Sequence, residues 1–177
     1  PESERLIRYL IKHKHWSPFE MVNMCVQIET TRSVAAQILR HRSFSFQEFS
    51  QRYAQVAEPA FIPALRRQDT KNRQNSIADL DQGTVDDFNI KINSLFELSE
   101  SLYNEMLQAG VAKECARDVL PLSTPTKLYM NGTLRSWLHY CELRCGNGTQ
   151  YEHKLIADQV KDLIEQEFPT IYAAMFC

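Results

Sequence analysis

A chain of 177 residues is long enough to bury one substantial core, and 44% hydrophobic with 24% charged residues is ordinary for a water-soluble fold. Lys and Arg number 20 against 22 Asp and Glu, a net charge of −2, which speaks against a general nucleic-acid binder because such proteins carry a basic excess. No stretch approaches the roughly 20 apolar residues that span a bilayer, and residues 1–15 are too charged for a signal peptide, so no membrane partner is expected.

Leu6, Ile7, Leu10 and Ile11 recur at helical spacing and predict a helix over residues 4–15. Pro18 ends it by disfavouring helical geometry at Ser17. Val22, Met24, Val26 and Ile28 then alternate with mostly polar neighbours, which predicts a half-buried strand over 21–29. A helix over 31–39 follows, with Thr31 or Ser33 as its cap. Residues 40–75 show little periodicity, and the polar run 66–76 reads as a loop.

A long helix is expected over 85–108, with Ile92, Leu95, Phe96, Leu98, Leu102 and Met106 as its inward stripe and Gly110 as its terminator. Further elements are a helix over 113–120 stopped by Pro121, a short strand over 126–131, and a helix over 133–143. A Gly146-Asn147-Gly148 turn, a helix over 150–168 and a short one over 170–176 complete the chain. Without repeats or linkers, this pattern predicts one α+β domain over 1–177, rich in helix, with a small and mostly antiparallel sheet.

Five cysteines at scattered spacing do not read as a disulfide framework. Cys141 and Cys145 share a helical face but lack a second ligand pair, so no metal site is expected. A reducing, cytoplasmic compartment fits.

The densest chemistry lies in residues 40–53. Arg40, Arg42 and Arg52 are interleaved there with Ser43, Ser45, Ser50 and Glu48. Guanidinium forks match phosphate oxygens and carbonyl edges, and serine hydroxyls are short phosphate donors. Glu48 supplies an acceptor for a ribose hydroxyl or for orienting an arginine. The residues alone leave two readings, a pocket for a phosphate-bearing ligand with a flat ring and a surface salt-bridge network. Ser50 lacks a recognisable histidine base and reads as a ligand contact rather than a nucleophile.

Arg40-His41-Arg42, seven intervening residues and Ser50-Gln51-Arg52 form R-H-R-x7-S-x-R, which resembles the signature of the flavin-dependent thymidylate synthases. Three further segments resemble family elements in the right order. They are His15-Trp16-Ser17-Pro18-Phe19-Glu20, the Ala116-Arg117 to Pro121 stretch, and Leu143-Arg144 with Gln150 and Glu152. Gln37 also stands where the family places a glutamine at the nucleotide.

The resemblance implies the conversion of dUMP to dTMP with bound FAD, 5,10-methylenetetrahydrofolate as one-carbon donor and NADPH as reductant. It implies FAD contacts at Ser17, Glu20, Arg40, His41, Arg42, Glu48, Thr133 and His139. Contacts to dUMP are implied at Gln37, Arg40, Glu48, Ser50, Gln51, Arg52, Arg117 and Arg144. Arg144 is the implied catalytic residue, stabilising negative charge on the uracil so that C5 becomes nucleophilic. Arg117 has a structural alternative, an interaction with Glu114 or Asp118, and Arg144 a position near a helix C-terminus that favours any cation.

No segment resembles the cysteine nucleophile of the unrelated cysteine-dependent thymidylate synthases. No Gly-x-Gly-x-x-Gly fingerprint is present either, so NADPH is expected to bind transiently over the flavin. Met21 and Gly148 depart from histidines common in the family. Since the chain starts at Pro1 rather than Met, an N-terminal strand region of the family is expected to precede it. A homotetramer with shared active sites is also implied. The competing reading is a nucleotide- or RNA-binding module that sets Phe44, Phe46, Phe49 and Tyr53 against bases and arginines against phosphates.

Overall fold

In the computed structural model, which describes residues 2–177, the opening helical periodicity becomes α1 (Glu2–Lys12), followed by a 3-10 turn at Ser17–Glu20. Then come β1 (Asn23–Thr31), α2 (Arg32–Ile38), β2 (Ser45–Glu48), β3 (Arg67–Gln68), β4 (Ser76–Ile77) and α3 (Gln82–Gln108). The chain continues through α4 (Lys113–Ala116), a 3-10 turn at Arg117–Val119 and β5 (Pro125–Thr133). It ends with α5 (Leu134–Arg144), α6 (Tyr151–Glu167) and α7 (Pro169–Phe176). A three-stranded sheet has the order β1-β5-β2, and β3 pairs antiparallel with β4. The expected helix-rich α+β class with a small antiparallel sheet is what the chain adopts.

The chain divides into two compact units. One holds the residues up to Val26, His41–Phe46 and Met130–Cys177. Here α1 lies on α7, α7 on α6, α6 on α5, and α5 on the 3-10 turn at Ser17–Glu20. The core includes Phe19, Leu134, Trp137, Leu138, Val160 and Ile164. Each such residue contributes roughly 1.5–3 kcal/mol by leaving water. Thr133 caps α5 by accepting from the Ser136 N–H at 3.2 Å, and the Trp137 indole N–H donates to the Met24 carbonyl at 2.9 Å.

The second unit holds Gln27–Arg40 and Gln47–Tyr129. Ile28, Val34, Ala35, Ile38, Tyr103 and Leu128 are its buried apolar residues together with Ala116. Thr31 caps α2, as one of the two expected candidates. Asp81 caps α3, and Gly110 ends it with φ +84°, a conformation that costs a side chain heavily.

Three expectations need correction. The region 40–75, which shows little periodicity in the sequence, contains β2 and β3, and the polar run 66–76 forms most of a hairpin in which β3 pairs with β4 rather than a plain loop. The stretch 113–120 is a short α-helix followed by a 3-10 turn rather than one helix. The expected inward stripe of α3 is largely open: Leu95, Leu98 and Leu102 are exposed, and Tyr103 is the helix's buried residue. Periodicity identifies an apolar face but not whether the same chain covers it.

Candidate functional site

In the second unit, β2 feeds a tight turn in which the N–H groups of Tyr53 and Ala54 donate to the Ser50 carbonyl at 3.1 and 3.0 Å. That turn carries Gln51 inward to 7% exposure, and its buried Nε2 has no hydrogen-bond partner. Buried amide donors are nearly always satisfied, so an orphan points to a missing acceptor. Gln51 lines a cavity of about 300 Å³ together with Arg32, Arg117, Asp118 and an apolar wall from Leu120 to Leu122. Two guanidiniums, an orphan amide and an apolar wall suit an oxygen-rich anion carrying a less polar body.

Glu48 holds Arg32 in place: their side chains form a hydrogen-bonded ion pair, and the Thr126 hydroxyl donates to the same carboxylate oxygen at 2.9 Å. Of the two roles open to Glu48 in the sequence, orienting an arginine is the one this geometry provides. Arg117 Nε donates to the Glu114 carbonyl at 3.2 Å and lies 3.9 Å from the Asp118 carboxylate. The structural alternative for Arg117 is therefore met while its side chain still lines the cavity. Ser50 and Arg52 are not among the lining residues, and Arg52 pairs with Glu114 at 2.7 Å on the surface. Gln37 sits half-buried on α2, and Arg40 is exposed just beyond it.

In the first unit Arg144 ends α5, where the helix dipole favours a cation. Its Nε donates to Nε2 of His41 at 3.0 Å. An accepting Nε2 carries no proton, so His41 is the neutral tautomer with its hydrogen on Nδ1. Burial, and then the Arg144 charge, hold the His41 pKa below the usual histidine value. Among the described residues Arg144 has no carboxylate ion-pair partner.

Behind His41, the Tyr140 hydroxyl meets Nε2 of the fully buried His153 at 3.0 Å. Burial first, then the Arg144 charge, push the His153 pKa down to about 4, and burial raises that of Tyr140. Glu20 pairs with Arg135, while His139 stands edge-on to Trp16 with centroids 4.7 Å apart. Thr133 spends its hydroxyl on the α5 cap, and Ser17 and Arg42 are exposed.

Sequence reading missed Arg32, Arg135, Tyr140 and His153. Arg32 carried a faint signal as a cation placed directly after the α2 cap. The other three had none, because their partners lie far along the chain or within a core. Burial pushes Cys141 up to about 12 and Cys145 to about 11, so neither is a thiolate nucleophile at neutral pH. Among the described residues no group of three or more His, Cys, Asp or Glu could hold a metal ion, and no helix is long and apolar enough to cross a membrane.

A family model described as thymidylate synthase complementing protein matches residues 1–170. A flavin-dependent thymidylate synthase from Synechocystis sp. is 51% identical over 175 residues, covering 99% of this chain and 81% of the relative. A probable flavin-dependent thymidylate synthase of Paramecium bursaria Chlorella virus 1 is 51% identical over 170 residues, covering 96% and 79%. Among solved structures, the UMP/dUMP methylase PolB from Streptomyces cacaoi, bound with 5-Br UMP, superposes with a TM-score of 0.89 at 26% identity. That match covers 98% of this chain and 81% of PolB.

Proposed function

Because this chain belongs to the thymidylate synthase complementing protein family, the flavin-dependent thymidylate synthases, we propose that it converts dUMP to dTMP with FAD as bound cofactor, 5,10-methylenetetrahydrofolate as one-carbon donor and NADPH as reductant. Residues 1–177 act as one synthase domain in a cytoplasmic enzyme. Five free cysteines suit such a reducing compartment.

The observation that carries this reading is Arg144, a cation fixed through Nε on a neutral histidine and relieved of any acid partner among the described residues. Its Nη groups are left for a ligand. Placed at the uracil edge, they stabilise the negative charge left when N3 loses its proton, and C5 becomes nucleophilic. Arg144 stays protonated throughout and acts as an electrostatic stabiliser.

The orphan Gln51 amide and the Arg32 and Arg117 side chains fit an anionic nucleotide, and we assign the phosphate to that cavity. Gln37, Arg40, Glu48, Ser50 and Arg52 complete the proposed nucleotide set, with Glu48 acting through Arg32. The donor set also fits a flavin: His41 offers an Nδ1–H, and the Glu20–Arg135 pair and the His139–Trp16 edge contact offer polar and planar surfaces. Ser17, Arg42 and Thr133 join these as FAD contacts, Thr133 through its backbone because its hydroxyl is occupied. When bound, the flavin supplies the hydride that completes the methyl group.

A homotetramer whose active sites draw on several subunits is part of this proposal. The exposed Leu95, Leu98 and Leu102 face of α3 supports it, since a monomer rarely leaves such a stripe to water. Light scattering should give about four times the 20.6 kDa chain mass. The functional test is a visible spectrum of protein reconstituted with FAD, gel-filtered and titrated with dUMP, followed by a dTMP assay. Retained flavin bands that shift with dUMP, and dTMP formed from the folate and NADPH, are expected. Loss of the flavin on filtration with no dTMP formed would refute the reading.

A further inference from the structure

His153 is fully buried, and its Nδ1 has no partner. A leucine or isoleucine could occupy such a core position without leaving a polar atom unsatisfied, so the histidine calls for a physical reason. The surroundings supply one. His41 is boxed by three rings standing nearly perpendicular to it: Tyr140 with centroids 5.1 Å away at 72°, His153 at 6.1 Å and 88°, and Phe44 at 6.3 Å and 87°. An imidazole held this way cannot rotate without driving an edge into a neighbouring face.

The closest of the three rings is itself tethered. Tyr140 comes from α5 and His153 from α6, and the 3.0 Å bond between Tyr140 Oη and His153 Nε2 ties the far end of the tyrosine to the next helix. Tyr140 and Arg144 are four residues apart on α5 and so share one helical face. The charged and titratable groups facing His41 are Arg144 and Tyr140 from α5 and His153 from α6.

We propose that Tyr140 and His153 are positioning residues: their hydrogen bond fixes the plane of His41 so that its Nε2 receives the Arg144 Nε–H and holds the guanidinium in its working orientation. This rests on the reading of Arg144 as the catalytic cation, and it adds to that reading the parts that aim the cation. Neutrality matters at both histidines. A proton on Nε2 of His41 would replace an acceptor with a second donor and set two cations together.

The test pairs stability with a direct view of the Arg144 bond. Removing one partner, in Tyr140→Phe or His153→Leu, leaves a buried polar group orphaned and should lower the melting temperature. Removing both in Tyr140→Phe/His153→Leu leaves apolar groups of similar shape and should restore most of it. Nitrogen-15 NMR of the FAD-loaded enzyme reads the Arg144 Nε–H, assigned by its loss in Arg144→Lys. In wild type that proton should exchange slowly at neutral pH, protected by its bond to His41.

In the double variant exchange should become fast, with kcat lowered on the order of tenfold to a hundredfold and the dUMP KM little changed. A double variant that regains stability with wild-type exchange and wild-type kcat would show the pair to be packing only and overturn the proposal. A wild-type Nε–H that exchanges at the rate of a free arginine at neutral pH would overturn it as well, without reliance on any variant. Wild-type enzyme that fails to make dTMP would sink the synthase reading alone, because the exchange measurement does not depend on turnover.

Discussion

Arg144 Nε lies 3.0 Å from Nε2 of His41, so a neutral imidazole rather than a carboxylate holds this half-buried arginine. The distinction is chemical. An acid would neutralise the guanidinium and compete with any anionic ligand, whereas a neutral imidazole fixes its direction and leaves its charge uncompensated. Arg144→Ala should keep FAD, since Arg144 is not among the proposed flavin contacts, while dTMP formation falls by on the order of a hundredfold to a thousandfold. Arg144→Lys keeps the charge but loses the planar fork and should recover only part of that loss. Single-turnover assays on flavin-loaded protein check both, and normal turnover in Arg144→Ala would remove this residue from the mechanism.

Gln51 separates binding from folding. Its amide is buried and unpartnered, so the folded chain gains nothing from it. Gln51→Leu should therefore leave stability unchanged or raise it by about 1 kcal/mol. The dUMP KM should nonetheless rise about tenfold, the equivalent of one lost hydrogen bond to a charged group. Urea unfolding alongside steady-state kinetics would decide. A loss of stability with an unchanged KM would mean that the amide serves the fold and not the nucleotide.

Much of this is legible in the sequence. The alternation in Thr126, Leu128 and Met130 marks one buried face of β5, and the cap and glycine signals at Thr31 and Gly110 fall where the helices begin and end. What stayed hidden was hidden for physical reasons. β2 is four residues long and lies inside the arginine–serine motif, where Phe44 and Phe46 alternate with Ser45 and Gln47 too briefly to stand out. Arg32 meets its acid 16 residues away, and Arg135 meets Glu20 across 115 residues, so neither pair leaves a local pattern. The α3 stripe shows the converse limit, an apolar face that was legible although its partner was not.

Acid should unfold the enzyme partly through His153. The unfolded residue binds a proton near 6.5, whereas the folded one resists until about 4. Between those values the unfolded state holds more protons, so the stability present above pH 6.5 is lost as the pH falls toward 4, to an extent of roughly 3 kcal/mol. His41, also lowered, adds to the slope in the same direction. Denaturant midpoints from pH 7.5 to 4.5 should fall less steeply in Tyr140→Phe/His153→Leu than in wild type. Parallel curves would mean that His153 is already protonated in the folded chain or is not buried as a neutral ring.

Gly132 tests how tightly the rings around His41 are packed. A Cβ added there would stand 2.4 Å from Phe44 Cδ1 and 2.7 Å from its Cε1, closer than carbon atoms approach. Phe44 has little freedom to withdraw, since Trp137 meets it edge-on at 4.7 Å and Tyr140 lies at 6.0 Å. Gly132→Ala should therefore destabilise by about 1–3 kcal/mol, the usual cost of overpacking a core. Because Phe44 is one wall of the His41 box, the same change should speed exchange of the Arg144 Nε–H. Adding Phe44→Leu makes room for the methyl group and should recover stability without recovering the slow exchange, since the wall is then missing rather than displaced. If Gly132→Ala alone leaves both stability and exchange unchanged, Phe44 has space to move, and the perpendicular rings do not fix the histidine.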